Sequence, residues 1–151
     1  MTLIPPIEIG LRGLDANRPS IWTEVRSFTN GKDMPRSKVN VFVHLVWATW
    51  KRHPLISQDI ERFLHRLIES EAKKLGCSVF AVNSMPNHVH NVIMLPSTIT
   101  IAKLTKQMKG VSSNAVNDLF NPAERFKWQG GYGAFSVSQS DLKVVINYVN
   151  K

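Results

Sequence analysis

The sequence predicts an α+β fold in which helices cover one face of an antiparallel β-sheet. Short runs rich in β-branched and aromatic residues alternate with segments whose apolar residues recur every three or four positions. These segments follow one another as strand, helix, strand, strand, helix, strand and helix. The first six elements match the split βαβ arrangement of ferredoxin-like folds, and the seventh is an additional C-terminal helix.

The first strand and first helix carry the clearest patterns. Residues 39–47 are rich in valine and aromatic side chains, which is typical of a buried strand. Ser57 is a suitable N-cap for a helix that runs to about Leu75, and Gly76 is a suitable residue to end it. One apolar face of this helix is formed by Ile60, Phe63, Leu64, Leu67, Ile68 and Leu75.

The next two strands and the second helix follow directly. We expect strands at residues 77–82 and 88–95, joined by a turn at residues 83–87 that is rich in Asn, Ser and Pro. Thr98 or Thr100 opens the second helix. Its core stripe is Ile101, Leu104, Met108 and Val111.

A glycine-bearing strand and a short helix complete the domain. The strand is expected at residues 128–137, and Ser138 or Ser140 is expected to cap the last helix. Tyr148 lies at the margin of that helix's apolar stripe, neither in the core nor fully outside it. The stripe itself consists of Leu142, Val145, Ile146 and Val149.

Composition narrows the class of protein. The formal charge is +8, and residues 1–33 contribute nothing to it, so the whole excess lies in residues 34–151 and favours a polyanionic partner. The single cysteine, Cys77, excludes an intrachain disulfide and fits a cytoplasmic protein. No apolar run approaches the roughly 18 residues that a membrane span needs, so we expect no membrane association.

Residues 1–33 differ from the rest of the chain. They contain scattered prolines and glycines and no sustained periodicity. We interpret them as an N-terminal extension that is partly ordered, or as translation from an alternative start upstream of Met34. The functional domain is then residues 34–151.

His88 and His90 are the leading candidates for chemistry. Residues at i and i+2 of a strand project from the same face, which places the two imidazoles side by side and turns Val89 into the core. Such a pair can hold a divalent metal, and a bound metal can polarise a phosphodiester. Two surface histidines without a metal remain the alternative.

Two tyrosines are candidate nucleophiles. Tyr148 on the last helix can face a site across the sheet, although its position also suits an ordinary boundary residue. Tyr132 lies between glycines, where strand packing or base stacking is the preferred interpretation. His44 alternates with core residues on the first strand and is expected to be structural.

Basic side chains near tryptophans suggest binding to single-stranded nucleic acid, because cations next to aromatic faces suit it. For any single residue, a solvated lysine or a core tryptophan is the competing interpretation. The candidate phosphate-binding residues are Lys51, Arg52, Lys106, Lys109 and Lys127, with Lys103 and Arg125 nearby in sequence.

Five short motifs occur together in register. They are residues 43–49 (VHLVWAT), 85–90 (MPNHVH), 109–113 (KGVSS), 128–132 (WQGGY) and 146–149 (INYV). In this order and spacing the chain resembles the single-tyrosine HUH transposases of the insertion-sequence-two-hundred-like type, including relatives that act on repetitive extragenic palindromes. The resemblance covers residues 34–151.

The resemblance implies a homodimer that acts on single-stranded DNA with hairpins at the element ends. It implies that His88 and His90 hold Mg²⁺ or Mn²⁺. Tyr148 would attack the scissile phosphate and form a 5′-phosphotyrosine link, and rejoining would reverse that step. In such dimers the tyrosine helix of one subunit commonly completes the histidine pair of the other.

One departure from the family pattern leaves an alternative function open. The family normally has Gln four residues after its tyrosine, whereas the sequence ends at Lys151, three residues after Tyr148. We therefore expect the C-terminal end to be truncated. A protein that binds hairpin DNA without cutting it is the alternative function, and a ferredoxin-like RNA-binding protein is a third that leaves the five motifs unexplained.

Overall fold

The computed structural model of the protein describes residues 39–151. The interpretation of residues 1–33 as an extension lies outside the described residues. Four strands form one antiparallel sheet in the order β2-β3-β1-β4, which confirms the predicted α+β architecture. The strands are β1 (Val41–Ala48), β2 (Ser78–Met85), β3 (His88–Leu95) and β4 (Gly133–Val137), and the helices are α1 (Gln58–Lys74), α2 (Ile101–Phe120) and α3 (Leu142–Val149).

Helices α1 and α2 cover one face of the sheet, as predicted. Their buried side chains meet the strand residues that alternate towards them, including Leu45 on β1 and Val89 on β3, each fully buried. From the helices, Leu64, Ile68, Leu104 and Met108 form the centre of this core. Burial of the two apolar helix faces therefore fixes which side of each strand faces away from the core.

Helix α3 covers part of the opposite face. Val145 and Val149 are buried against Phe42, Ala81 and Val92 in a second, smaller cluster. The side chain of Asn83 on β2 also donates to the carbonyl oxygen of Val149 at 2.7 Å, which holds the end of α3 against the sheet.

The first strand lies at Val41–Ala48 where residues 39–47 were expected, and two other strands differ more from the prediction. Strand β2 continues to Met85 because Asn83 and Ser84 pair with β3, so that only Pro86 and Asn87 form the turn. The strand expected from residue 128 begins only at Gly133. Trp128 instead forms an isolated bridge with Thr49, and Gly131 takes a φ of +85°, which interrupts the extended backbone.

The first two helices begin at predicted capping residues. Ser57 and Thr100 are the N-caps of α1 and α2, and the hydroxyl of Thr100 accepts from the backbone N–H of Lys103. The predicted cap of the last helix is wrong: Asp141, and not Ser138 or Ser140, is the N-cap of α3, and Ser138 hydrogen-bonds Asp141 in the turn before the helix. Across residues 39–151, no helix is both long and apolar enough to cross a membrane.

Candidate active site

His88 and His90 project from the face of the sheet that α3 covers. Val89 between them is fully buried in the core beneath α1 and α2, as the alternation along the strand requires. The centres of the two imidazole rings lie 4.9 Å apart, with their planes at 70°. The two imidazoles therefore lie side by side, in the arrangement that the sequence predicted.

His44 is a third histidine of the same group. It lies on β1 and is only 2% exposed, and its Nε2 atom is 3.0 Å from Nδ1 of His90. The sequence placed His44 among structural residues. The alternation of side chains along the strand could have identified His44 as a site residue. Val43 and Leu45 face the main core, so His44 faces the opposite side of the sheet.

Tyr148 meets this cluster from α3. The centre of its ring is 6.3 Å from the ring centres of both His44 and His90, in edge-on orientations. Its side chain is 43% exposed, so the phenol stays accessible while Val145 and Val149 anchor the helix. Because Tyr148 lies at the margin of the apolar stripe of α3, its ring can lie near the histidines and still be accessible to solvent.

Tyr132 lies in the loop that precedes β4. It is also 43% exposed, and Gly131 beside it has the positive φ noted above. The ammonium group of Lys109 donates to the carbonyl oxygens of Gln129 and Gly131 at 2.7 and 2.9 Å, which ties this loop to α2. Among the described residues, the aromatic rings that contact His90 are those of His44, His88 and Tyr148, and Tyr132 is not one of them.

The surroundings favour neutral imidazoles. Burial, together with the electrostatic influence of His44 and His88, lowers the pKa of His90 to about 4. Burial also lowers the pKa of His44, and burial together with the charge of Arg52 lowers the pKa of His88. A neutral imidazole keeps one nitrogen lone pair, which is the form that binds metals.

Asn87 fixes the proton of His88. The Nδ1 atom of His88 lies 2.7 Å from the side-chain oxygen of Asn87, and an amide oxygen can only accept. Nδ1 therefore carries the hydrogen, and Nε2 of His88 keeps its lone pair. The turn signal in the sequence identified Asn87 only as a turn residue.

A basic loop lies beside the histidines. Lys51 and Arg52 both adopt left-handed backbone conformations, with φ of 49° and 56°, which are uncommon for residues other than glycine. The loop is held in place by buried Thr49, whose backbone N–H donates to the carbonyl oxygen of Asn87 at 3.0 Å. Strained loops that the surrounding structure holds in place often serve a site.

The predicted basic residues do not form one group. The ammonium of Lys127 lies 3.9 Å from the ring centre of Trp50, and that of Lys51 lies 5.7 Å from it. Lys109 is engaged by the two carbonyl oxygens described above. Lys106 is exposed on α2, which covers the other face of the sheet from the histidines.

His88 and His90 can supply two of the ligands that a divalent metal ion needs. Among residues 39–151, no group of three or more His, Cys, Asp or Glu side chains is arranged to hold a metal ion. His88 and His90 nevertheless supply two adjacent neutral imidazoles, and the Nε2 atom of His88 is free to bind. Water molecules would complete the coordination of Mg²⁺ or Mn²⁺, as they commonly do in proteins.

Comparisons with known proteins agree on one family. Residues 37–151 match the family described as transposase IS200 like. The chain is 22% identical over 111 residues to the ISDra2 transposase TnpA of Deinococcus radiodurans, a match that covers 70% of this chain and 79% of that protein.

Two solved structures share the fold. One is a candidate transposase from Deinococcus radiodurans R1, with a TM-score of 0.64, 22% identity, and coverage of 80% of this chain and 96% of that one. The other is a REP-associated tyrosine transposase bound to a REP hairpin, with a TM-score of 0.57 and 14% identity. That match covers 79% of this chain and 70% of the other.

Proposed function

Because the chain belongs to the IS200-like transposase family, we propose that it cleaves and rejoins single-stranded DNA with Tyr148 as the nucleophile. The observation that carries this proposal is the position of Tyr148. Its ring lies 6.3 Å from the ring of His90, on the same face of the sheet, and it remains accessible to a substrate. The proposed catalytic domain is residues 34–151.

The reaction is a transfer of one phosphodiester bond. The Oη atom of Tyr148 attacks the scissile phosphorus and loses its proton, while the bond from phosphorus to the 3′ oxygen breaks. The leaving 3′ oxygen takes up a proton, which yields a free 3′-OH and a 5′-phosphotyrosine. Attack of a 3′-OH on that phosphotyrosine reverses the step, so no nucleotide hydrolysis is required.

His88 and His90 are the proposed ligands of Mg²⁺ or Mn²⁺. When bound, the metal would supply positive charge that polarises the phosphate oxygens of the substrate. The protein contributes the orientation, since both imidazoles are fixed by the pairing of β3 with its neighbours and are neutral at physiological pH. Tyr148 is held at the same face by the packing of α3.

The loop of Trp50 to Arg52 is the proposed contact for the DNA backbone. Arg52 lies in the loop that the backbone N–H of Thr49 ties to the carbonyl oxygen of Asn87, the residue before His88, so its guanidinium is the proposed phosphate ligand beside the histidine pair. Lys127 above Trp50 combines a cation with an aromatic face, a combination that suits single strands. Lys106 and Lys109 are less suited, because Lys106 lies on the other face and Lys109 holds a loop.

Hairpin DNA and a homodimer complete the proposal. A structural neighbour is bound to a REP hairpin, which supports a hairpin as the partner of this fold. Within one chain, Tyr148 already reaches the histidines of its own sheet, so the proposed dimer does not need to exchange α3 to assemble the site.

A hairpin-binding protein that does not cut is the second candidate. It is favoured by one observation: the described residues provide two adjacent imidazoles and no third protein ligand arranged with them. A site with weak metal affinity would still bind DNA through its basic loop. The two functions therefore differ only in whether a covalent product forms.

A labelled single-stranded hairpin library incubated with Mn²⁺ tests the proposal. We expect a protein–DNA adduct on a denaturing gel for the wild-type protein, none for Tyr148→Phe, and an undiminished adduct for Tyr132→Phe, the matched control. Hairpin binding by Tyr148→Phe should be unchanged, because the phenol is not needed to hold the backbone. An adduct formed by Tyr148→Phe would overturn the assignment of the nucleophile, and hairpin binding without any wild-type adduct would favour the second candidate.

A further inference from the structure

His44 is a buried polar side chain that the proposed reaction does not use. It is 2% exposed, and its ring lies between Phe135 on β4 and Tyr148 on α3 as well as beside His90. Burying an imidazole is unfavourable unless it is hydrogen-bonded. The partner of its Nε2 atom is Nδ1 of His90, at 3.0 Å.

The two rings meet edge to edge. Their centres are 5.3 Å apart and their planes differ by only 22°, while the two nitrogens are 3.0 Å apart. The nitrogens therefore lie between the ring centres, close to the line that joins them. This is the geometry of an N–H···N hydrogen bond in the ring plane and not of face-to-face stacking.

Only one of these two nitrogens can carry the shared hydrogen. If Nδ1 of His90 donates, Nε2 of His90 keeps its lone pair and can bind a metal. If Nε2 of His44 donates instead, the hydrogen of neutral His90 must sit on Nε2, and that atom is closed to a metal. The direction of one hydrogen bond therefore decides whether His90 is a ligand.

The neighbouring histidine shows the same arrangement. Nδ1 of His88 donates to the side-chain oxygen of Asn87, which leaves its Nε2 free. In both imidazoles Nδ1 is thus occupied by a protein partner, and the two Nε2 atoms are the ones left to bind. Ligand histidines in proteins commonly donate their second nitrogen to such an acceptor.

We propose that His44 accepts the Nδ1 hydrogen of His90 and is the positioning residue that holds His90 in its metal-binding tautomer. This inference rests on the proposed role of His90 as a ligand. His44 is not itself a third ligand here, because its Nε2 atom points at His90. The pairing of β1 with β3 sets the contact, since Val46 is opposite His90 and His44 is opposite Val92.

The tautomer can be measured without metal. We expect nitrogen-15 NMR of the metal-free protein to show His90 with its hydrogen on Nδ1. In His44→Phe, which keeps an aromatic ring of similar breadth but offers no acceptor, this preference should be lost. His44→Gln restores an acceptor oxygen and should recover it. A wild-type His90 with its hydrogen on Nε2 would overturn the inference.

Mn²⁺ affinity gives the second readout. His44→Phe should weaken binding by about 10- to 100-fold, the usual effect of removing a residue that orients a ligand, and His44→Gln should recover part of it. His65→Phe is the control, because His65 hydrogen-bonds Ser84 on β2 and not the ligand pair. Unchanged affinity in His44→Phe, or an equal loss in the control, would contradict the inference.

The two readouts separate this inference from the proposed function. If the wild-type protein fails to bind Mn²⁺ while His90 carries its hydrogen on Nδ1 and loses that preference in His44→Phe, the proposed role of His90 as a ligand fails, but His44 is still the residue that sets the tautomer. If the wild type binds Mn²⁺ and His44→Phe binds equally well, only the inference about His44 is wrong.

Discussion

At the residue scale, the histidines of the sheet combine burial with chemical availability. His90 is desolvated and surrounded by two further imidazoles, which holds its pKa at about 4, yet it stays beside the accessible ring of Tyr148. An imidazole that remains neutral through the physiological range offers a lone pair without first losing a proton. For the proposed role of His90 as a metal ligand, competition from protons would thereby be small.

These shifts predict that the metal-free protein loses stability in mild acid. In the unfolded chain an imidazole takes up a proton near pH 6.5, whereas native His90 stays neutral down to about pH 4. The pKa values of His44, His65 and His88 are lowered in the same direction. Over this window the unfolded state binds more protons, so the free energy of unfolding falls as pH falls.

Urea denaturation at several pH values between 7.5 and 4.5 measures this dependence. We expect a nearly constant free energy of unfolding above pH 7 and a steady decrease below about pH 6.5. His90→Phe removes one of the titrating groups and should show a shallower decrease. A free energy that is flat or rises over this range would contradict the assignment of neutral native histidines.

At the element scale, the segment between β1 and α1 depends on one buried threonine. Thr49 is fully buried, and its hydroxyl donates to the carbonyl oxygen of His53 at 2.6 Å and lies 3.1 Å from that of Asn87. These contacts close the loop over the turn that precedes His88. Lys51 and Arg52, with their left-handed conformations, lie between Thr49 and His53 in this loop.

Thr49→Val removes the hydroxyl and keeps the shape of the side chain. We expect it to lower the free energy of unfolding by about 0.5–1.5 kcal/mol, because the carbonyl oxygen of His53 loses the hydroxyl donor and keeps only the backbone N–H of Leu55. Affinity for a single-stranded hairpin should fall as well, since Arg52 is no longer held beside His88. Thr49→Ser keeps the hydroxyl and should retain hairpin affinity, and equal affinities for the two variants would refute a role for this hydroxyl in DNA binding.

At the scale of the whole molecule, the sheet separates the larger apolar core from the proposed active site. The face beneath α1 and α2 holds the larger apolar core, and the face beneath α3 holds the smaller cluster and the three histidines. The excess positive charge of the chain lies in residues 34–151, and Lys51, Arg52 and Lys127 bring part of it to the site. The larger apolar core and the proposed active site therefore lie on opposite sides of the same strands.

The salt dependence of hairpin binding tests this distribution of charge. Each phosphate contact on a single strand contributes about 0.7 to the slope of log affinity against log salt concentration, so Lys127→Ala should reduce the slope by about that amount. Lys73→Ala is the matched control, because Lys73 lies at the C-terminal end of α1, about 22 Å along the helix from the end that follows the basic loop. Equal slopes for Lys127→Ala and the wild type would remove Lys127 from the interface.

Much of the fold was predictable because local patterns specify it. The helix bounds at Ser57 and Thr100, the strand at His88–Leu95 and the burial of Val89 all follow from capping residues and from periodicity. The residues at which the strands begin were harder to predict. Trp128 is a residue type that favours strands, yet it forms only an isolated bridge and Gly131 takes a positive φ. Lys109 on a distant helix donates to the carbonyl oxygens of Gln129 and Gly131 there, a contact that no local pattern predicts.

The sequence by itself determined the order of the elements, the excess positive charge, and the pairing of His88 with His90 on one strand face, because these depend on neighbours along the chain. Only the tertiary structure decided that His44 meets His90, that Tyr148 reaches both, and that Lys106 is separated from them. Those relations depend on which strands pair, in which register, and on the face that α3 covers. Contacts between residues far apart in sequence arise when whole helices and strands are buried against one another, and a local sequence pattern does not predict how these elements pack.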